Sequence, residues 1–311
     1  MPDSRGVLIA GGTGFVGRAL VREFVSHGVR PMVPSRSPSS ARRLLGSGVE
    51  IVPANWVSGP GVGNLAERIR VAYYLVHSMA SGPDFAEADR NAAVRFAEEM
   101  ARGGVERIIY LGGLGEEGTS LSPHLASRRE VERILRQGPV PVTTLRAAII
   151  IGAGGSSFEM LVQLVEKLPA MICPRWVETR CQPIALAELL RYLTGCADLA
   201  AVLGQTYDAG GPEILTYRTM MERVGLQIGR RPRLLVVPIL TPSLSAHWVG
   251  FITQVSSEIA RPLVEGMRNP VICRDDRVAK LMPGPRFGFD TALAEALKTR
   301  PSGVRRFAPY G

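Results

Sequence analysis

Val7-Leu8-Ile9-Ala10-Gly11-Gly12-Thr13-Gly14-Phe15-Val16-Gly17 decides the fold, because an apolar run passes through a glycine cluster into a helical stripe. Val7–Ala10 reads as a buried strand. Over Phe15–His27, Val16, Ala19, Leu20 and Phe24 fall on one helical face, and Gly28 stops that helix in the left-handed position. Gly11 allows a sharp turn, Gly14 removes a side chain where an anion must approach, and Gly17 lets helix and strand pack closely. The free N–H groups and positive end of the helix then suit a diphosphate. A glycine triplet alone also fits a structural turn. Its place at the first strand–helix junction favours a bound dinucleotide, held by Gly11, Gly12, Thr13, Gly14, Phe15, Val16 and Gly17.

Working outward, apolar strands are expected at Pro31–Pro34, Val49–Val52, Val71–Val76, Val105–Leu111 and Val142–Ile151. Helices are expected at Ala41–Leu45 and Glu87–Arg102, and from Ser122-Pro123, with serine as cap and proline in the first turn. Unbroken aliphatic strands alternating with helices predict an α/β, doubly wound parallel sheet of the Rossmann kind. Beyond Gly152 the rhythm changes. Phe158–Leu168 and Leu186–Thr194 read as helices, Thr206–Asp208 as a strand, and Thr216 as the cap of a helix over Tyr217–Val224. The expected organisation is a dinucleotide-binding core over 1–152. Residues 153–311 would add the remaining sheet and helix elements and a smaller C-terminal substrate lobe, all one integrated domain.

Composition bounds the function. The chain has 311 residues, 46% of them hydrophobic, enough for a sizeable core. The formal charge of +9 comes almost wholly from arginine, since Lys167, Lys280 and Lys298 are the lysines. These arginines are scattered, without a basic run interleaved with aromatics, so no nucleic-acid partner is expected. Cys173, Cys181, Cys196 and Cys273 show neither a C-x-x-C pair nor histidines at zinc spacing, so no metal is expected and free thiols are. The apolar stretch Leu234–Val255 is interrupted by Pro238, Pro242, Ser243, Ser245 and His247, which argues against a membrane span. With no secretory signal read at Met1–Gly6, the expected location is cytoplasmic.

The end of the second strand bears on which dinucleotide binds. A carboxylate there pairs with a ribose 2′-hydroxyl and repels a 2′-phosphate. This chain has Ser35-Arg36-Ser37 instead. An arginine offers a fork for phosphate and a flat face for adenine, worth roughly 1.5–3 kcal/mol as a charged hydrogen bond. NADP(H) is therefore expected to be preferred, with NAD possible; a solvated surface arginine is the alternative reading of Arg36.

The G-x-x-G-x-x-G spacing resembles the short-chain dehydrogenase/reductase superfamily. Further segments resemble its atypical members: the NmrA-like proteins, triphenylmethane-reductase-like enzymes and relatives of the 39-kDa subunit of complex I. They are Ala72-Tyr73-Tyr74-Leu75-Val76-His77-Ser78-Met79, Asp84-Phe85, Arg107–Leu114, Leu145–Gly152, Ser157-Phe158-Glu159-Met160, Gln182-Pro183-Ile184 and Gly210-Gly211-Pro212. The resemblance runs over essentially the whole chain, without the extra C-terminal domain of longer relatives. It implies that Leu75, Val76, His77 and Ser78 pass the adenosine and ribose, with Met79 at the substrate pocket. Leu111, Gly112, Gly113, Ala147, Ala148 and Ile149 would lie near the nicotinamide, and Asn55 would contact adenine.

The chain departs from that pattern at the catalytic set. Active members of the superfamily carry a serine after the fifth strand and Tyr-x-x-x-Lys on the next helix. Here the serine position reads Gly113, and the spacing is filled by His124-Leu125-Ala126-Ser127-Arg128. His124 and Arg128 project from one helical face. Histidine titrates near neutrality, so His124 is the candidate proton donor; a surface or capping histidine is the plain alternative. Arg128 stays charged and is suited to hold ribose hydroxyls.

Phe158, Met160, Trp176 and Trp248 are candidates for an apolar or aromatic substrate pocket, or equally for a core between lobes. Two functions lead at this stage, with epimerase- or dehydratase-type chemistry on the same cofactor as the remaining alternative. One is a reductase of a small, mostly apolar carbonyl, quinone or enone. The other is a non-catalytic NADP(H)-binding redox sensor or complex-assembly protein. Oligomeric state is not legible.

Overall fold

The computed structural model describes residues 6–77, 85–115, 121–237 and 263–300. In chain order, the first half runs β1 (Gly6–Ala10), α1 (Phe15–Ser26), β2 (Met32–Ser35), α2 (Pro38–Leu45), β3 (Glu50–Pro53), β4 (Ile69–Tyr74), α3 (Phe85–Arg102), β5 (Arg107–Gly113), α4 (Pro123–Gln137) and β6 (Val142–Ala147). The second half has β7 (Ile150–Ile151), α5 (Ser156–Lys167), β8 (Ala170–Pro174), β9 (Arg180–Cys181), β10 (Ile184–Ala185), α6 (Leu186–Gly195) and β11 (Thr206–Ala209). It continues with β12 (Leu215–Thr216), α7 (Tyr217–Gln227), β13 (Arg233–Val237), α8 (Arg277–Leu281) and α9 (Phe289–Thr299).

Seven strands form one sheet in the order β11-β6-β5-β4-β1-β2-β3, and every pairing in it is parallel. The expected Rossmann arrangement is present. Alternate residues of each strand enter opposite cores, the period-2 consequence of a pleated strand. Val7, Ile9, Tyr73 and Ile109 pack with Leu20 and Phe24 of α1 and with Leu189 and Leu193 of α6. Leu8, Ala10, Tyr74 and Ile108 pack with Phe96 and Met100 of α3 and with Ile134 and Leu135 of α4. The strand order reverses between β1 and β4, so their carboxyl ends open a crevice at the switch point.

Two caps read from the sequence form as expected. Ser122 Oγ accepts from Leu125 N–H, with Pro123 opening α4, and Thr216 Oγ1 accepts from Thr219 N–H at the start of α7.

The sixth strand does not run unbroken to Ile151. It ends at Ala147, the chain bends, and Ile150–Ile151 pair in parallel with Ile184–Ala185 as a separate small sheet. Thr206–Ala209 takes the sheet edge beside β6. The C-terminal part builds a third core from Phe158, Leu161, Met171, Trp176, Tyr217, Met220 and Leu293. It also holds a parallel pair the periodicity did not reveal, β8 with β13. No helix among the described residues is long and apolar enough to cross a membrane. All four cysteines are free thiols, three of them buried.

Candidate functional site

A cleft of about 550 Å³ opens at the switch point. The turn after β1 makes one wall. Gly11 has φ +84°, and a Cβ there would stand 2.6 Å from the carbonyl oxygen of Leu75, so the turn presses directly on the loop that follows β4. At Gly17 a Cβ would meet the Gly11 oxygen at 2.1 Å, which brings α1 against the turn. Gly14 differs: its added Cβ meets only the Gly11 oxygen, at 3.2 Å. Its open side is toward the cleft. Gly12 faces the other way, with Val33 Cγ1 2.7 Å from its Cβ position, and does not line the cleft.

Helix α1 starts at this turn with no side-chain cap and no acid in its first turn. Its positive end is left to an anion. Helix α5 also begins at the cleft, through Gly154, Gly155, Ser156 and Ser157. Cβ positions on Gly152 and Gly155 would lie 2.9 and 2.8 Å from the Phe15 ring, so this second loop packs on the first residue of α1. A cradle that side chains would fill, at an uncapped helix start, fits a dinucleotide diphosphate.

The ends of β2 and β3 form the next wall. Ser35 is buried and accepts from the Ser37 amide at 3.1 Å. Arg36 is exposed at the rim and lines the cleft, whereas Ser37 stands just before α2, outside it. Asn55 lines the cleft, but its side chain is spent on its own loop. Its Oδ1 accepts from Val57 N–H at 3.1 Å and its Nδ2 donates to Ser58 at 2.9 Å. Trp56, which sequence reasoning missed, lines the cleft beside it and donates to the buried Glu99 at 2.5 Å.

The far end gathers the ionisable groups. Leu75, Val76, His77, Leu111, Arg128 and Ala148 line it, while Ser78 and Met79 lie outside the described residues. Arg128 donates to the carbonyls of Val76 (3.5 Å) and Leu111, tying the ends of β4 and β5 together. Its guanidinium stands 5.4 Å from the Tyr110 ring centroid. His77 Nδ1 is 2.9 Å from Asp89 Oδ2, and His77 Nε2 is 3.0 Å from His124 Nδ1. His124 and Arg128 thus meet at one place, as their spacing implied, but His77 is the imidazole that lines the cleft. Burial lowers the pKa of both histidines; the Arg128 charge lowers each further, with His77 adding to the effect on His124, and Asp89 pulls both the other way.

Asp89 was missed in the sequence, although an acid on the apolar stripe of α3 is itself a signal: it is 2% exposed. At Gly113, the superfamily's serine position, a Cβ would come 3.0 Å from Leu125 Cδ2. A serine there would need the Leu125 side chain to give way by a few tenths of an ångström. Gly112 does not line the cleft either, and Ala147 and Ile149 are buried beneath it.

The pocket expectation for the C-terminal part is corrected. Phe158 (0% exposed), Met160 (1%) and Trp176 (8%) sit in the third core and none lines the cleft. Helix α5 buries every residue from Phe158 to Val165, so its aromatic and thioether groups meet protein on all sides. Trp248 lies outside the described residues. The wall there consists of Ile150, Leu263 and the start of α5. Among the described residues no group of three His, Cys, Asp or Glu could hold a metal ion.

Comparison with known proteins agrees with this geometry. A curated mitochondrial protein of Arabidopsis thaliana, NADH dehydrogenase (ubiquinone) 1 alpha subcomplex subunit 9, is 24% identical over 241 residues, which is 74% of this chain and 60% of that protein. The ceramide reductase of Caulobacter vibrioides (strain NA1000 / CB15N) is 28% identical over 248 residues, 76% of this chain and 75% of that one. Among solved structures, MoeE5 in complex with UDP-glucose and NAD superposes with a TM-score of 0.70 at 16% identity, covering 94% of this chain and 97% of that one. A UDP-glucose 4-epimerase of Thermotoga maritima gives 0.70 at 12% identity, with coverage of 94% and 97%. The sequence model of a family described as NAD(P)H-binding matches residues 11–166 of the 311, from the glycine turn through α5, and the chain belongs to that family.

Proposed function

We propose that the chain is an NADPH-preferring reductase of an apolar carbonyl, quinone or enone, acting as one integrated domain in the cytoplasm. The observation that carries this reading is the shared cleft: the glycine turn and His77, the imidazole bonded to His124, lie on one concave surface, joined by Leu75 and Val76. Arg36 at the rim, with no acid beside it, supports preference for a 2′-phosphate. Leu75, Leu111, Ala148, Ile150 and Leu263 in the lining support an apolar substrate. A relative named for reducing ceramide supports reduction as the chemistry.

The reduced dinucleotide supplies the hydride. The chain's own residues supply the rest. The turn Gly11–Gly17 and the start of α1 hold the diphosphate, and Arg128 keeps the ends of β4 and β5 at fixed separation beneath the reacting groups. His124 gives the proton that the substrate oxygen needs. Holding donor and acceptor together accounts for much of the rate, because correct positioning removes a large part of the barrier.

A second reading has its own observation. Gly113 carries no hydroxyl, and Arg128 spends donors on backbone carbonyls, which suits a dinucleotide-binding sensor or assembly protein without turnover. One experiment separates the two. Purified protein is given NADPH with a panel of quinones, enones and lipid-like ketones, and nicotinamide absorbance is followed together with deuteride transfer from labelled cofactor. Stereospecific transfer is expected, with His124→Ala losing ~10²–10⁴ in turnover while still binding NADPH. Tight NADPH binding with no transfer across the panel would establish the sensor instead.

A further inference from the structure

Asp89, His77 and His124 come from three separate elements: α3, the loop after β4 and the first turn of α4. They nevertheless form one hydrogen-bonded line. Asp89 Oδ2 accepts from His77 Nδ1 at 2.9 Å and from Ser127 Oγ at 3.3 Å. His77 Nε2 is 3.0 Å from His124 Nδ1, and the two ring centroids are 4.8 Å apart.

The line has a direction. An ionised carboxylate only accepts hydrogen bonds, so His77 must carry its proton on Nδ1. A neutral ring protonated at Nδ1 presents a lone pair at Nε2. The bond to His124 then exists only if His124 also carries its proton on Nδ1. His124 Nε2, which makes no hydrogen bond to the described residues, is left as the accepting end. The charged groups bearing on the two imidazoles are Asp89 from α3 and Arg128 from α4.

We infer that Asp89 and His77 are positioning residues that set the tautomer of His124, and that His124 exchanges a proton with a substrate hydroxyl or carbonyl oxygen through Nε2. This deepens the reading of His124 given above and rests on it. In the oxidising direction the substrate O–H bond breaks and its proton passes to His124 Nε2. The carbinol C–H bond breaks with its electron pair, which leaves as hydride to the oxidised dinucleotide, and the oxygen's freed pair becomes the second carbon–oxygen bond. In reduction the hydride arrives at carbon, the carbonyl π pair moves onto oxygen, and the Nε2–H bond of a His124 imidazolium breaks to protonate it. Asp89 balances that imidazolium through His77, as the carboxylate of a Ser–His–Asp triad does for its own histidine.

The test begins with cofactor-free protein. Imidazole ¹⁵N NMR is recorded above pH 7, with the His77 and His124 signals identified by their loss in His77→Asn and His124→Gln. Both rings are expected as Nδ1–H tautomers in the unmodified protein. In Asp89→Asn the amide can donate as well as accept and no longer obliges His77 to keep its proton on Nδ1, so Nε2–H rings are expected to appear at both positions. A wild-type His124 protonated at Nε2 would overturn the inference, and this spectrum decides even if Asp89→Asn fails to fold.

Kinetics give an independent readout. Asp89→Asn is expected to cut kcat by about 10²-fold or more, to leave KM within roughly threefold of wild type, as for an interaction felt in the transition state, and to move the imidazole pKa in the pH profile downward. An unchanged pH profile would also overturn the inference. The Nδ1–H pair in a protein that turns over no substrate refutes the reductase and leaves the tautomer assignment standing. Turnover with His124 protonated at Nε2 refutes the relay and leaves the reductase.

Discussion

Adding one methyl group at Gly17 and one at Gly14 should separate two roles of the same turn. At Gly17 the new Cβ meets only backbone: the Gly11 oxygen at 2.1 Å, the Gly11 carbonyl carbon at 2.8 Å and the Gly12 Cα at 2.8 Å. No side chain is available to swing away, so α1 must retreat from β1 by roughly an ångström, enough to break ordinary close packing. Overpacking of this kind typically costs ~1–3 kcal/mol, and at the size of this chain each kcal/mol lowers Tm by about 1.5 °C. Gly17→Ala should therefore melt roughly 1.5–5 °C below wild type and lose dinucleotide affinity, because the helix start moves with the turn.

Gly14 has φ −73°, which alanine adopts readily, and its Cβ position meets a single oxygen at 3.2 Å. Gly14→Ala should cost under about 1 kcal/mol, the scale of a changed helix N-cap. It should still weaken NADPH binding by at least tenfold, since the methyl points to where the diphosphate is expected. Differential scanning calorimetry and isothermal titration of both variants give the comparison. If Gly17→Ala keeps wild-type stability and affinity, or if Gly14→Ala binds NADPH as well as wild type, the account of the turn is refuted.

Two further outcomes are expected. Arg36→Ala should weaken NADPH by roughly 10- to 150-fold, the equivalent of one charged hydrogen bond of ~1.5–3 kcal/mol, and leave NADH within about threefold; equal losses for the two cofactors would remove the 2′-phosphate role. Stability should also fall with acid before Glu213 and Asp290 titrate. His77 and His124 are held below the ordinary 6.5 in the folded protein, chiefly by burial. As pH drops below 6.5 the unfolded chain therefore gains protons that the folded one resists. Each such proton steepens the loss by about 1.4 kcal/mol per pH unit, until the folded-state values are passed. Glu213 and Asp290, held down by bonds to Arg223, begin to lose their contribution only below 4.5 and 3.8. Chemical denaturation at pH 7.0, 6.0 and 5.0 should show the decline, and His124→Gln should flatten it.

The glycine turn, the order of strand and helix and the caps at Ser122 and Thr216 were all legible in the sequence because each is a local signal. Turn, period and cap are written within a few neighbouring residues. The His77–Asp89 bond was not legible, because it joins a loop to a helix across 12 positions and depends on how α3 docks. The end of β6 at Ala147 was hidden for a related reason. An apolar run shows that a segment is buried, and it does not say which strand it pairs with, here Ile184–Ala185 for Ile150–Ile151. Phe158, Met160 and Trp176 were ambiguous because a helix buried on all sides has the same composition as one facing a greasy pocket. Register decides between them, and register is a tertiary fact.

The packing of Phe15 against Gly152 and Gly155 has a consequence for how such a chain can vary. Residue 155 lies 140 positions after residue 15 in the sequence, yet it sets the space behind a ring at the mouth of the nucleotide crevice. A bulkier residue at 155 would displace that ring toward the crevice and narrow the phosphate entrance, unless residue 15 shrank to match. The width of the entrance is therefore under joint control of two distant positions, free to drift only as a pair.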